Sequence, residues 1–271
     1  MNTAHTPRPG HAAAPFGEHL RQWRQRRRMS QLDLSAQADI STRHLSFVET
    51  GRSLPSRDMV LRLFERLDVP LRDRNAMLMA AGYAPMYRER PLDDPALAAA
   101  RQAVDLVLKG HEPFPALAVD RHWNMVASNR VVAHLLVGLG AALLTPPVNV
   151  LRLSLHPSGL APRIANLMQW RAHLFARLRQ QVHATADPVL AALLDELQQY
   201  PVPATQGDVK LDGELMGVVV PFRLVTAAGV LSFISTTTVF GSPVDVTLQE
   251  MAVESFFPAD EPTAQALRAL A

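Results

Sequence analysis

Hydrophobic positions in the first third of the chain recur at helical spacing and are cut into short runs by capping residues and glycine. Phe16, Leu20 and Trp23 lie about one turn apart, with Arg21, Arg24, Arg26, Arg27 and Arg28 beside and after them, so the spacing predicts an amphipathic helix ending near Met29 on a basic turn. Ser30 is an N-cap for a second helix through Ala38, with Leu34 and Ala38 on one face. Asp39 and Ile40 make a turn. Ser41 caps a third helix, with Leu45 and Val48 inward, and Gly51 supplies the left-handed residue after Glu49-Thr50. Ser56 caps a fourth helix that buries Met59, Val60, Leu63, Phe64 and Leu67, and Pro70 opens a fifth through Ala81, ended by Gly82.

The pattern then changes. Ala84 to Pro95 carries three prolines and alternating charges without periodicity, and reads as a connection between domains. Ala116–Asp120 and Trp123–Ser128 are short extended runs around Arg121-His122, and Asn129 to Leu139 reads as a helix. Pro162 to His183 and Asp187 to Gln199 predict two more helices, the second capped by Asp187 with Pro188 at its first position. Leu215–Val225 and Val230–Phe240 are rich in β-branched residues and predict a hairpin over Thr226–Gly229, with a last helix from about Thr247 to Glu254. The expected division is a loose tail over 1–15, an all-α five-helix domain over 16–83, a linker over 84–95, an α+β domain on an antiparallel sheet over 96–260, and a C-terminal tail over 261–271.

Length and charge agree with two domains. At 271 residues the chain exceeds the usual single-domain size. Positions 1–90 hold 15 arginines against 9 acidic residues, and the remainder holds 12 basic against 16 acidic, so a net charge of +2 hides a basic front on an acidic rear. A basic front predicts a polyanionic partner for that part only. The chain has no cysteine, which removes disulfides and zinc-thiolate sites and agrees with a reducing, cytoplasmic setting. The N-terminus has no apolar signal region, and the apolar run Val131 to Leu144, interrupted by His134, falls short of the roughly 20 residues a membrane span needs.

Residues 30–51 therefore read as two short helices joined by a tight turn, the helix-turn-helix arrangement, with the helix over about 41–50 placed to enter a major groove of double-stranded DNA. Its exposed positions Ser41, Thr42, Arg43, His44, Ser46 and Phe47 are hydrogen-bonding or methyl-contacting types, and Arg43 is suited to bidentate pairing with guanine. Gln31, Thr50 and Arg52 lie at helix ends, where phosphate contacts position a domain without reading sequence.

On these residues, Ser30-Gln31, Leu34, Ala38, Leu45, Val48, Glu49 and Gly51, the front domain resembles the lambda-repressor/Cro-like, or xenobiotic-response-element, helix-turn-helix family. That resemblance implies an ion pair between Arg24 and Glu49, bracing the first helix against the recognition helix. The run Arg43 to Ser53 with Ala80 to Pro85, and in the rear half Arg121-His122-Trp123-Asn124, Asn149 to Pro157, Trp170-Arg171-His173-Leu174 and Ser235 to Gly241, is similar to the narrower group of bacterial MmyB-like transcription regulators. It implies a PAS-like second domain with a fatty acid or similar apolar ligand in its cavity, and no other cofactor.

Trp123, Met125, Trp170, Phe233 and Phe240 are candidate cavity residues, with Asn129 at the rim, although ordinary core packing produces the same pattern. Arg152 and Arg171 stand among apolar residues and suit a ligand carboxylate, or else structural ion pairs. His111, His122, His134, His156, His173 and His183 show no metal-binding spacing. Gly138-Leu139-Gly140 lacks the third glycine of a dinucleotide loop, and Ser232, Ser235 and Thr236–Thr238 stand outside any nucleophile elbow. The expected function is a non-enzymatic, ligand-responsive transcriptional regulator that binds operator DNA as a homodimer, with a small apolar effector as its second partner. A DNA-anchored interaction module or an unrecognised enzyme domain stays open as the alternative.

Overall fold

The computed structural model describes residues 15–202, 219–241 and 245–270. The chain falls into two compact units, Met1–Glu89 and Arg90–Ala271.

The first unit is the five-helix domain: α1 Phe16–Arg26, α2 Gln31–Gln37, α3 Thr42–Glu49, α4 Arg57–Arg66 and α5 Leu71–Ala80. Each predicted serine cap is made. Ser30 Oγ accepts from the Asp33 amide while Asp33 accepts from the Ser30 amide, and Ser41 and Ser56 accept from the amides of His44 and Met59. Helix α3 ends in the double-bonded glycine cap: Gly51 has φ +71°, its amide donates to Val48, and the Arg52 amide donates to the Phe47 carbonyl at 2.8 Å. Leu20, Trp23, Leu34, Leu45, Val48, Leu63, Phe64 and Leu78 form one closed core. Arg27 joins α1 to the end of α4 by donating to the carbonyls of Leu67 and Asp68 at 2.7 and 2.6 Å.

The segment expected as a linker is fixed at both ends. Asn75 Oδ1 accepts from the amides of Met86 and Tyr87, and its Nδ2 donates to the Tyr87 carbonyl, so residues 86–87 lie against α5. From Arg90 onward the bonds belong to the second unit: Arg90 pairs with buried Asp245 at 3.0 Å, and Arg101 donates to the carbonyls of Leu92 and Asp94.

The second unit is an α+β domain on a five-stranded antiparallel sheet, of PAS-like architecture. Its strands are β1 Ala116–Val119, β2 Met125–Ser128, β3 Phe222–Thr226, β4 Gly229–Val239 and β5 Ala252–Pro258, in the order β2-β1-β5-β4-β3. One face packs on α6, Ala98–Gly110, through Val104, Leu108, Ala116, Ala118 and Val253. The other carries α7 Arg130–Leu135, α8 Val150–Leu155, α9 Leu167–Thr185 and α10 Pro188–Gln198 over the larger core of Val119, Trp123, Leu151, Trp170, Leu178, Phe222 and Phe233.

Three sequence expectations change here. The helix expected over 247–254 is one turn, α11 Val246–Gln249, followed by β5, because residues 252–258 pair with β1 on one side and β4 on the other. The tail expected over 261–271 is instead the helix α12, Glu261–Leu270, whose Leu267 is fully buried and whose Thr263 hydroxyl accepts from the Ser232 amide. The helix expected from Pro162 starts at Leu167, since Ile164 bridges to Leu224 of β3 after a short 3-10 turn. The hairpin is present as β3 and β4 around a two-residue turn, with Leu215 to Gly217 and the rest of 203–218 outside the described residues.

No helix among the described residues is long and apolar enough to cross a membrane.

Candidate nucleic-acid interface and effector cavity

Helix α3 is fixed from both ends and from behind. Leu45 and Val48 are buried, Ser41 caps its start, and the Arg24 guanidinium grips Glu49 at its end in a fork: Nε to Oε1 at 2.6 Å and Nη2 to Oε2 at 2.9 Å. Glu49 also accepts from Gln31 Nε2 at 2.8 Å, and Arg24 Nη1 donates to the Met29 carbonyl. The hydrogen bonds to Glu49 raise the Arg24 pKa further above its ordinary value, so the cation is permanent. Gly17 lets α1 approach this closely. A Cβ there would stand 2.4 Å from the Val48 carbonyl oxygen and 2.5 Å from that of Glu49.

The outward face of α3 presents Arg43, exposed, with half-buried His44, Ser46 and Phe47. The Phe47 ring lies under two guanidinium groups, Arg43 at 5.4 Å and Arg52 at 6.0 Å, which holds both cations on one side of the helix. Thr42 Oγ1 is hydrogen-bonded with Ser35 Oγ at 2.9 Å, and the Thr50 hydroxyl donates to the Ser46 carbonyl, so these two positions are partly engaged within the domain. Gln31 is likewise held by Glu49.

In the second unit a cavity of about 100 Å³ lies between the sheet and the helices α7, α8 and α9, lined by Leu117, Trp123, Met125, Val132, Leu136, Leu151, Ser154, Trp170, Leu174, Phe222 and Phe256. Its walls continue into a second apolar space of about 70 Å³ that shares Leu117, Val132, Leu136, Leu160, Phe222 and Phe256 and reaches Phe233 and Leu224. Trp123, Met125 and Trp170 are thus on the wall of the larger cavity and Phe233 on that of the smaller. Trp123 is in the left-handed region at φ +66°, held by its Nε1 donating to Gln181 Oε1 at 2.8 Å and by its amide donating to the Asp120 carbonyl.

Four other expected ligand residues lie elsewhere. Asn129 is buried, but its Oδ1 accepts from the Ala116 amide and its Nδ2 donates to the carbonyls of Leu108 and Phe114, so it joins α6, β1 and α7. Arg152 is paired in two-point fashion with Glu196, which also accepts from the Tyr200 hydroxyl; burial and Glu196 push the Tyr200 pKa up to about 12. Arg171 donates to the carbonyls of Gln198 and Tyr200 at the end of α10. Phe240 packs in the cluster of Val104 and Met251 on the opposite face of the sheet.

The polar groups that do line the cavity are Ser154, Arg177 and Glu254. Arg177 donates to both carboxylate oxygens of Glu254, at 2.5 and 3.1 Å, and to Thr237 Oγ1 at 2.7 Å, while its guanidinium lies 4.5 Å over the Trp123 ring. Thr237 in turn donates to Glu254 Oε1 at 3.0 Å. Outside this cluster Trp123 and Arg177 also border a polar surface groove of about 330 Å³ with Asp120, Gln181 and Glu250. Arg177 shares its helix with Arg171 and Arg179, and Glu254 lies in a strand, β5, where the sequence pattern predicts a helix. No group of three metal-ligating side chains occurs among the described residues.

The family model of the MmyB-like transcription regulator ligand binding domain matches residues 100–270, and a helix-turn-helix domain model matches residues 15–77. Among solved structures, the clp gene regulator ClgR from Corynebacterium glutamicum is similar at 23% identity, covering 36% of this chain and 90% of that one, with a TM-score of 0.22. No curated protein matches the chain.

Proposed function

The chain belongs to the MmyB-like transcription regulator family, a ligand-binding domain joined to a DNA-binding helix-turn-helix, and on that premise we propose how its two units divide the work. Helix α3 enters the major groove with Arg43, His44, Ser46 and Phe47 as the reading face, and Ser41 and Thr42 lie at its entry. Gln31, Thr50 and Arg52 contact phosphate. The protein acts as a homodimer on half-sites about 34 Å apart, one turn of the duplex. The second unit binds a small apolar effector with a fatty-acid-like alkyl chain between Trp123, Met125, Trp170 and Phe233, and binding shifts the population of DNA-competent dimers. It works by binding and not by catalysis.

The observation that carries this reading is the pair of adjoining apolar cavities, whose walls are almost wholly aliphatic and aromatic with one polar end. Native mass spectrometry of protein purified without detergent tests it: a retained mass of a few hundred daltons supports the effector, and bare protein that also takes up no added alkyl compound favours an interaction module. The DNA face is tested separately. Arg43→Ala is expected to cost about 1–3 kcal/mol on operator DNA and relax one position, whereas Arg52→Ala weakens specific and random DNA alike and flattens the salt dependence. Equal behaviour of the two variants would overturn the division into reader and positioner.

A further inference from the structure

The head group of the effector is decided by how the charges at the polar end of the cavity are already paired. Resting on the reading that the cavity holds an apolar effector, we propose that it selects a ligand with an uncharged, hydrogen-bonding head, of the class of long-chain alcohols, over an ionised carboxylate.

The polar end contains one cation, Arg177, and one anion, Glu254, and each is satisfied by the other. Glu254 is 5% exposed, and Arg177 holds both of its oxygens while Thr237 donates to one of them, so the carboxyl on the cavity wall already has its cation. Other arginines near these helices are spoken for: Arg152 by Glu196 and Arg171 by the end of α10. His173, stacked on Trp170 at 5.4 Å, is held toward its neutral form by burial and by Arg177. A ligand carboxylate entering here would leave water and lie beside Glu254 with no cation left over to compensate, which is the costly arrangement for buried charge.

An alcohol meets no such penalty and finds partners. Ser154 Oγ accepts from Trp170 Nε1 at 2.9 Å, and among the described residues nothing accepts the Ser154 hydroxyl proton, so a donor on the cavity wall is left for a ligand oxygen. Glu254 Oε2 takes one hydrogen bond, from Arg177 at 3.1 Å, and keeps capacity to accept a ligand hydroxyl. A carboxylate has no proton to offer it.

The test compares octanol with octanoate, equal in chain length, at a mildly alkaline pH where octanoate is ionised. Binding to the full chain is followed by quenching of Trp123 and Trp170 fluorescence and by calorimetry. Octanol is expected to bind at least tenfold more tightly than octanoate. In Glu254→Gln, which leaves Arg177 without its counter-charge, the preference should reverse, and Ser154→Ala should weaken octanol alone. Tighter binding of octanoate by the unaltered protein overturns the selection of an uncharged head while leaving the apolar effector intact. Failure of both compounds, and of other alkyl compounds, overturns the effector reading itself. The comparison in the unaltered chain stands even if Glu254→Gln fails to fold.

Discussion

Arg24 and Glu49 are buried at 11% and 2% side-chain exposure, so losing either one strands a charge in the core of the first unit. Arg24→Ala and Glu49→Ala are each expected to destabilise that unit by about 3–5 kcal/mol, read from denaturant unfolding. Exchanging the two residues should recover little of this, because the Met29 carbonyl and the Gln31 amide are also placed for the native orientation. The family resemblance implies this pair, and the structure makes it. Arg177 and Glu254 are not legible as a pair in the sequence, because 77 residues separate them and either one alone resembles a surface charge. His173 carries a pH signature of its own. Its pKa is lowered from 6.5 by burial and by Arg177, so above that value both folded and unfolded forms are neutral. As pH falls through 6.5 the unfolded chain takes up a proton that the folded chain refuses, and stability is lost until the lower folded pKa is reached. His173→Asn should flatten that acid limb of stability against pH in thermal melts, and an unchanged limb would place its origin elsewhere.

At the scale of elements, α1 and α3 meet backbone to backbone at Gly17, a contact no periodicity reveals because it depends on the absence of a side chain. Gly17→Ala has to push the helices apart against the Val48 and Glu49 carbonyls, and is expected to cost about 1–3 kcal/mol and to weaken operator binding by tilting the reading helix. Unchanged stability and DNA affinity would show that the two helices adjust freely. Helices α2, α3 and α4 are readable because each carries its own start signal, Ser30, Ser41 or Ser56, and Gly51 stops α3. Strand β5 carries none. Its alternation of Ala252, Glu254 and Phe256 toward the cavity with Val253 and Ser255 away from it places buried residues on both faces, and a strand covered on both sides loses the clean polar alternation that marks a half-exposed one. Helix α12 was missed for a related reason: its apolar residues are alanines and leucines at a chain end, and only docking on β4 distinguishes it from a tail.

On the scale of the whole molecule, each unit owns a closed core, Leu20, Leu45 and Phe64 in one and Trp170, Phe222 and Phe233 in the other. Fragments spanning 15–89 and 90–271 are therefore expected to unfold cooperatively on their own by circular dichroism, and the first to retain DNA binding; a fragment without a transition would show that the units depend on each other. The linear order of residues determined the helix-turn-helix, the basic front and the class of the second domain, because caps, glycine stops and helical spacing act over a few residues and are written locally. Tertiary structure alone decided which polar groups face the cavity. It closed Asn129, Arg152 and Arg171 into structural bonds, turned Phe240 to the other side of the sheet and set Arg177 against Glu254. Those outcomes depend on strand order and helix docking across distant segments, where burial makes the pairing of each charge the deciding energy and neighbouring residues say nothing about it.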